Sequence, residues 1–192
     1  MRLSDKVGTL MQTGIAGPAV TVRAAVPADA TAMAALHVRA WRATYTGMLP
    51  DAFLADLTVD DREAMWRRSV TEPDLAPAER VILVAESEGT VLGLASAGHA
   101  RGDDEFGLGE LYAINVDPPA WGRGAGRALL AAATGWLDAR FAVSILWVVD
   151  RNARARALYE RAGWSPDSAS KIEVYDGTSV NNCRYRRAAA RP

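Results

Sequence analysis

The stretch from Leu111 to Leu130, LYAINVDPPAWGRGAGRALL, decides the fold. Its first six residues, Leu111 to Val116, are apolar enough for a central β-strand. Asp117-Pro118-Pro119 ends that strand, because proline has no N–H for a ladder and fixes its own φ. Three glycines spaced two apart follow, and a run of strong helix formers begins at Arg127. The stretch therefore predicts a strand, a glycine turn and a helix.

The glycine turn suits an anion. The first N–H groups of a helix lack internal partners, and the helix dipole places partial positive charge there. Glycine lets the backbone approach a phosphate, and Arg123 and Arg127 would add charge-assisted hydrogen bonds. A plain strand-to-helix connection is the alternative. A Walker loop is excluded because no Gly-Lys-Ser/Thr follows, and the G-x-G-x-G spacing fits a Rossmann fingerprint badly.

This segment resembles the acyl-CoA-binding core of the GCN5-related N-acetyltransferases, whose loop reads Gln/Arg-x-x-Gly-x-Gly/Ala. The matching residues run from Trp121 to Gly126, and Trp121 stands where the family has Gln or Arg. The backbone cradle depends only on the glycines and the helix start. The resemblance implies that acetyl-CoA is the co-substrate and that it is held by Ile114, Asn115, Val116, Gly122, Arg123, Gly124, Ala125, Gly126, Arg127 and Asn152.

A second segment, from Asn152 to Trp164, reads Asn-x-x-Ala-x-x-Leu-Tyr-x-x-x-Gly-Trp. It is similar to the family's second signature, where the last aromatic residue is often Phe. The resemblance covers Val20 to Arg187. It implies one α/β (α+β) domain over residues 20–187, with a mixed, mostly antiparallel sheet and helices on both faces. Residues 1–19 and 188–192 are then expected to be terminal tails.

Composition sets the class of protein. A chain of 192 residues with 49% hydrophobic and 23% charged residues suits one soluble domain. A net charge of −1 gives no reason to expect a nucleic-acid partner. Cys183 is the only cysteine, and the two histidines, His37 and His99, offer neither metal-ligand spacing nor a credible triad. With no apolar run long enough for a membrane span or a secretory signal, we expect a cytoplasmic protein without metal or membrane partner.

The chemistry that the resemblance implies is direct transfer of an acetyl group from acetyl-CoA to a primary amine. A protonated amine is not a nucleophile, so a base must accept its proton, and an acid must protonate the departing thiolate. A backbone N–H of the central strand would stabilise the thioester oxyanion. No covalent enzyme nucleophile is required, and Cys183 is interpreted as a small buried residue.

Glu110 is the candidate base. Period-two alternation predicts that it shares a strand face with Tyr112, Ile114 and Val116. It also matches the base of the histone-acetylating branch of the family, fourteen residues before Gly124. The branch that modifies ribosomal-protein N-termini has its glutamate where this chain has Trp147. The alternative for Glu110 is an edge carboxylate in solvent.

Tyr159 is the candidate acid, because it matches the family tyrosine placed near the CoA sulfur. It lies seven residues after Asn152, which is two helical turns along one face. A tyrosine that anchors the helix in the core is the alternative for Tyr159. A simple helix N-cap is the alternative for Asn152.

The acceptor is not fixed by the sequence. The resemblance implies that Trp41 and Tyr45 line the acceptor site, while core packing is an equal alternative for both. The acids from Asp103 to Glu105, together with Glu110, favour a cationic amine acceptor over an anionic one, unless they form a solvated turn. A small-molecule or peptide amine, a longer acyl group and a homodimer all remain open. The rival function is a non-catalytic acyl-CoA-binding module.

Overall fold

The structure is a computed structural model that describes residues 19–71, 79–102 and 105–189. Most of the predicted N-terminal tail and residues 190–192 of the predicted C-terminal tail lie outside those ranges. Within these ranges the five α-helices are α1 (Ala30–Tyr45), α2 (Asp51–Ala55), α3 (Val59–Thr71), α4 (Ala125–Asp138) and α5 (Ala153–Arg161). The seven strands are β1 (Thr21–Ala24), β2 (Arg80–Ser87), β3 (Thr90–His99), β4 (Gly109–Val116), β5 (Val143–Val149), β6 (Ser165–Tyr175) and β7 (Thr178–Ala188).

All seven strands form one sheet in the order β1-β2-β3-β4-β5-β7-β6. Only β4 and β5 run parallel, and the other five neighbouring pairs are antiparallel. Helix α4 crosses from β4 to β5, as parallel neighbours require. The predicted mixed, mostly antiparallel sheet is confirmed.

Helices cover both faces of the sheet, as predicted. On one face, α4 and α5 bury Leu129, Leu130 and Tyr159 in a cluster that also contains Leu111 of β4. On the other face, α1 packs with Trp66 of α3 against β2 and β3. A third cluster joins α1 and α2 to β5 and β7. Among the described residues, no helix is long and apolar enough to cross a bilayer.

The two central strands, β4 and β5, diverge along their length. β4 and β5 pair only from Gly109 to Leu111 on β4, opposite Ser144 to Leu146 on β5. Beyond Leu111 the two strands diverge, so the rest of β4 has a sheet neighbour on one side only, β3. This divergence opens a cleft in the middle of the sheet.

A β-bulge changes the predicted facing of Glu110. Ser96 pairs with Ala113 but Ala97 pairs with Leu111, so Tyr112 is an extra residue on β4. Leu111 therefore packs into the same cluster as Ile114, three residues later. Glu110, the neighbour of Leu111, points to the opposite face of the sheet. The prediction that Glu110 shares a face with Ile114 and Val116 is wrong, because strict alternation fails at the bulge.

Other elements differ from the sequence prediction in their bounds. β6 and β7 each span eleven residues, whereas the sequence pattern predicts only 172–175 and 182–185. Asp29, a residue type that commonly caps helices, directly precedes α1, but its carboxylate caps no N–H of that helix. It accepts hydrogen bonds from the Arg23 guanidinium and from the Val26 N–H. The guanidinium of Arg23 holds the pKa of Asp29 below its usual range, so this carboxylate ties β1 to the start of α1.

Candidate active site

The cleft between the parted strands has a volume of about 1090 Å³. Residues of α1, β4, β5, β6 and α5 line it, together with the glycine turn that precedes α4. The structure brings every predicted site residue to this one cleft, namely Trp41, Tyr45, Glu110, Ile114, Asn115, Val116, Gly122, Arg123, Gly124, Ala125, Gly126, Arg127, Asn152 and Tyr159.

The glycine turn presents free backbone donors at one end of the cleft. Gly122 and Gly124 adopt φ values of +78° and +90°, a conformation that side-chain-bearing residues rarely hold. The first main-chain bond of α4 runs from the N–H of Ala128 to the C=O of Gly124, at 3.0 Å. The N–H groups from Ala125 to Arg127 precede that bond and have no helical partner. The turn therefore has the donors and the dipole that bind a phosphate group.

The open edge of β4 forms the middle of the cleft. The N–H of Asp117 donates to the C=O of Leu92 on β3 at 2.9 Å. Because the backbone N–H and C=O groups of successive residues point to alternate sides of a strand, those of Val116 and Ile114 point away from β3. The indole N–H of Trp121 donates to the C=O of Val116 at 2.8 Å, which confirms that direction. The rest of this edge offers strand-like hydrogen bonds to an extended ligand.

Trp121 also positions a cation that the sequence analysis missed. The guanidinium of Arg154, near the start of α5, lies 3.6 Å from the centre of the Trp121 ring. Both residues line the cleft beside the glycine turn. Arg154 thus adds a positive charge beside the glycine turn, held there by a cation–π contact. No local pattern pairs residues 33 positions apart, so local sequence reasoning could not predict this contact.

Asn152 begins α5 as an N-cap. Its side-chain oxygen accepts the N–H of Ala155 at 3.1 Å, and the residue is 5% exposed. Burial raises the pKa of Tyr45, and a hydrogen bond with the Asn152 side chain partly offsets that effect. Asn152 thus has the structural role named as its alternative, at a position that also faces the cleft.

Tyr159 reaches the same part of the cleft from the helix that Asn152 caps. It is 7% exposed, and burial, assisted by the nearby Tyr45, raises its pKa well above the usual range. Its hydroxyl makes no hydrogen bond to any other residue in the described ranges. The nearby Tyr185 differs, since its hydroxyl donates to Glu160 at 2.7 Å and accepts from Arg156 at 3.0 Å. Tyr159 is therefore a protonated phenol with a free donor.

Glu110 is buried, with only 3% of the residue exposed. Its carboxylate accepts three hydrogen bonds from Arg101: from the backbone N–H at 3.0 Å, from Nε at 3.2 Å and from Nη2 at 2.8 Å. The Arg101 guanidinium also lies over the Tyr112 ring, 4.2 Å from its centre. Glu110 is thus not an edge carboxylate in solvent.

Trp41 and Tyr45 line the cleft and also pack in the hydrophobic core. One face of α1 lines the cleft through His37, Ala40, Trp41, Thr44 and Tyr45, which follow helical spacing. The Trp41 ring stacks on His37 at 5.3 Å and meets Tyr45 edge-on at 5.0 Å. Both aromatic residues also pack against the α1–α2 cluster.

Nothing among the described residues indicates a nucleophile or a metal. The Cys183 thiol donates a weak hydrogen bond to the C=O of Val148 at 3.6 Å, and burial raises its pKa, which disfavours the thiolate. Within residues 19–71, 79–102 and 105–189, no group of three or more His, Cys, Asp or Glu side chains could hold a metal ion.

The family model described as the acetyltransferase (GNAT) family matches residues 38–164, which is more than half of the chain. The chain belongs to this family. It is an enzyme, an acetyltransferase of the GNAT type.

Individual relatives agree with the family. The acetyltransferase is 36% identical to an uncharacterised N-acetyltransferase, YuaI, of Bacillus subtilis over 135 residues, which are 69% of this chain and 73% of that protein. It is 52% identical to a mycothiol acetyltransferase of Beutenbergia cavernae over 59 residues, but these cover only 30% of this chain and 20% of the relative. An acetyltransferase of Salmonella typhimurium, solved with acetyl-CoA, shares the fold with a TM-score of 0.66 at 22% identity, over 90% of this chain and 95% of the other.

The structure of the acetyltransferase adds charged cleft residues that sequence reasoning missed. On β6, the Lys171 ammonium lies 2.8 Å from the Glu173 carboxylate, which also accepts the Tyr175 hydroxyl at 2.6 Å. Lys171 lies over the Trp147 ring, 4.7 Å from its centre. The alternation of 171, 173 and 175 could have indicated this face if β6 had been predicted at its full length. We call Arg101, Glu110, Lys171 and Glu173 the charged end of the cleft.

Of the acids expected to attract a cationic acceptor, the structure describes Glu105 and Glu110. Asp103 and Asp104 lie outside the described residues. Glu105 is 6% exposed, and its carboxylate pairs with Arg184 at 3.1 Å. Arg184 in turn bonds to Asp167 at 2.9 Å, so the charge of Glu105 is taken up inside the structure.

Proposed function

We propose that this acetyltransferase moves the acetyl group of acetyl-CoA to the primary amine of a small molecule or peptide, by direct attack in a ternary complex. The observation that carries the proposal is the single cleft. It joins the free N–H groups after Gly124, the open edge of β4, Tyr159 and Glu110. An extended, phosphate-bearing thioester matches this order of donors, with its phosphates at the helix start and its pantetheine arm along β4.

Each residue has a distinct part in the proposed step. Glu110 accepts a proton from the acceptor ammonium, directly or through water, and the free amine attacks the thioester carbon. The new C–N bond forms as the C–S bond breaks, and Tyr159 donates its proton to the departing thiolate. The raised pKa of Tyr159 keeps its hydroxyl protonated until the C–S bond breaks and the thiolate departs. As the amide forms, its nitrogen loses a second proton, which replaces the one that Tyr159 gave up. Glu110 releases the first proton to solvent, so the products are the amide, CoA thiol and one proton.

Two substitutions test the assignment. Glu110→Gln removes the proton acceptor and should lower kcat by about 10²- to 10⁴-fold. It should also remove the acidic limb of the kcat/KM profile. Tyr159→Phe keeps the ring and should lower kcat while the Kd for acetyl-CoA stays nearly unchanged, because the hydroxyl acts mainly as the thiolate departs.

The chain supplies a matched control for each variant. Glu105→Gln also removes a buried carboxylate that is paired with an arginine, but outside the cleft. Tyr185→Phe removes a buried hydroxyl whose partners are Arg156 and Glu160 rather than the cleft. Both controls should lower stability and leave kcat intact. If folded Glu110→Gln and Tyr159→Phe keep the wild-type kcat and pH profile, the assignment of acid and base is refuted.

A further inference from the structure

Arg101 occupies the carboxylate of Glu110 at the charged end of the cleft. Among the described residues, every hydrogen bond that the carboxylate accepts comes from Arg101, and the Glu110 side chain is only 4% exposed. An amine that enters the charged end of the cleft therefore competes with the guanidinium for the carboxylate. Glu110 can accept the amine proton only after the Arg101 side chain moves away.

Arg101 is the partner that can move. Its side chain is 64% exposed, whereas that of Glu110 is almost completely buried. Its Nη1 has no hydrogen-bond partner among the described residues. An exposed cation exchanges partners at little cost, but a buried carboxylate stripped of its partner is strongly destabilised. Arg101 will therefore leave Glu110 only when another cation replaces it and another anion receives the guanidinium.

The second ion pair restricts what can enter. Glu173 is already paired with Lys171, as Glu110 is with Arg101. A plain ammonium ion thus finds no unpaired carboxylate at the charged end. A molecule that carries both charges finds a partner for each, because its ammonium can take the place of Arg101 at Glu110 while its anion binds the released guanidinium.

We propose that the acceptor is a zwitterion of the α-amino acid type, whose carboxylate draws Arg101 off Glu110. This proposal rests on the proposed function and names the substrate class of the same site. When the substrate binds, the Arg101–Glu110 ion pair is replaced by two ion pairs, one between Arg101 and the substrate carboxylate and one between Glu110 and the substrate ammonium. Glu110 then has the ammonium proton within reach only when a carboxylate-bearing acceptor is bound. Arg101 is a specificity-determining residue that contacts the substrate.

The experiment compares acceptors that differ only in the carboxylate. The common α-amino acids and their decarboxylated amines are assayed as pairs for acetylation, by CoA release and product mass. The best amino acid should exceed its amine in kcat/KM by about tenfold or more, the usual worth of a charge-assisted hydrogen bond. In Arg101→Gln the ratio should fall to near one, partly because the plain amine now reaches Glu110. Arg101→Lys keeps the charge and should restore part of the preference.

The control is Arg184→Gln, which breaks an arginine–glutamate pair outside the cleft and should leave the ratio unchanged. If Arg101→Gln does not fold, the wild-type ratio and the Arg101→Lys ratio still decide. A wild-type enzyme that acetylates plain amines as well as the acids, or a ratio that survives in Arg101→Gln, overturns this inference and leaves the proposed function standing. An enzyme that acetylates no amine in either set overturns this inference, and one that in addition acetylates no peptide amine overturns the proposed function.

Discussion

His37 makes the stability of the enzyme depend on pH. It lies in α1 with 6% of the residue exposed, and its Nδ1 accepts the Trp66 indole N–H at 3.2 Å. Its Nε2 has no hydrogen-bond partner among the described residues. Burial, and to a smaller extent the charge of Arg62, lowers the pKa of His37 from 6.5 to about 4. The folded enzyme therefore holds this histidine neutral.

The sign of the effect follows from proton binding. The unfolded chain takes up a proton at His37 near pH 6.5, whereas the folded chain does so only near pH 4. Between these values the unfolded state binds more protons, so the free energy of unfolding falls as pH is lowered from 6.5 to 4. At about 1.4 kcal/mol for each pKa unit, the full loss at His37 is about 3 kcal/mol.

The assay is urea unfolding of the wild type and of His37→Asn at pH values from above 6.5 to about 4. The asparagine oxygen can still accept the Trp66 N–H, but it does not titrate. The variant starts less stable because it loses the stack on Trp41. The stability difference between the two proteins should then shrink by up to about 3 kcal/mol across this range.

The matched control is His99→Asn, at the exposed histidine, whose curve should run parallel to that of the wild type. Taking differences removes the contribution of the carboxylate ion pairs, which are present in all three proteins. If the His37→Asn curve also runs parallel to the wild-type curve, burial does not keep His37 neutral and the reasoning fails.

Two further predictions concern the co-substrate. Acetyl-CoA at 100 times its Kd should stabilise the fold by about 2.7 kcal/mol and raise Tm, and Gly124→Glu should abolish the rise by placing a carboxylate among the phosphate donors. Gly126→Ala is the control and should keep the rise in Tm, because its Cβ would lie at an ordinary contact distance of 3.5 Å from Val116. If acetyl-CoA does not raise the Tm of the wild type, acetyl-CoA binding is refuted. Arg154→Gln should raise the Kd for acetyl-CoA and leave kcat unchanged. Because salt screens a contact between Arg154 and a phosphate, a steeper salt dependence of binding in the variant than in the wild type would count against that contact.

Local sequence determined the parts of the site that depend on local conformation. Gly122 and Gly124 supply positive φ just before a run of helix formers, and any such turn exposes free N–H groups at the start of α4. Asn152 and Tyr159 share one helix, so their spacing alone brings both to one face. These features need no information about distant residues, which is why the pattern predicts them.

Tertiary structure decided which charges are free. The bulge at Tyr112 places Glu110 on the opposite face of β4 from Ile114 and Val116, because a one-residue shift in register reverses the facing of every side chain beyond it. The stacking of Arg154 on Trp121 likewise joins residues far apart in the chain. Each side chain has the same identity in the sequence whether it is paired or free. The sequence by itself therefore located the glycine turn and its free N–H groups, and only the folded sheet determined which carboxylates are paired with cations.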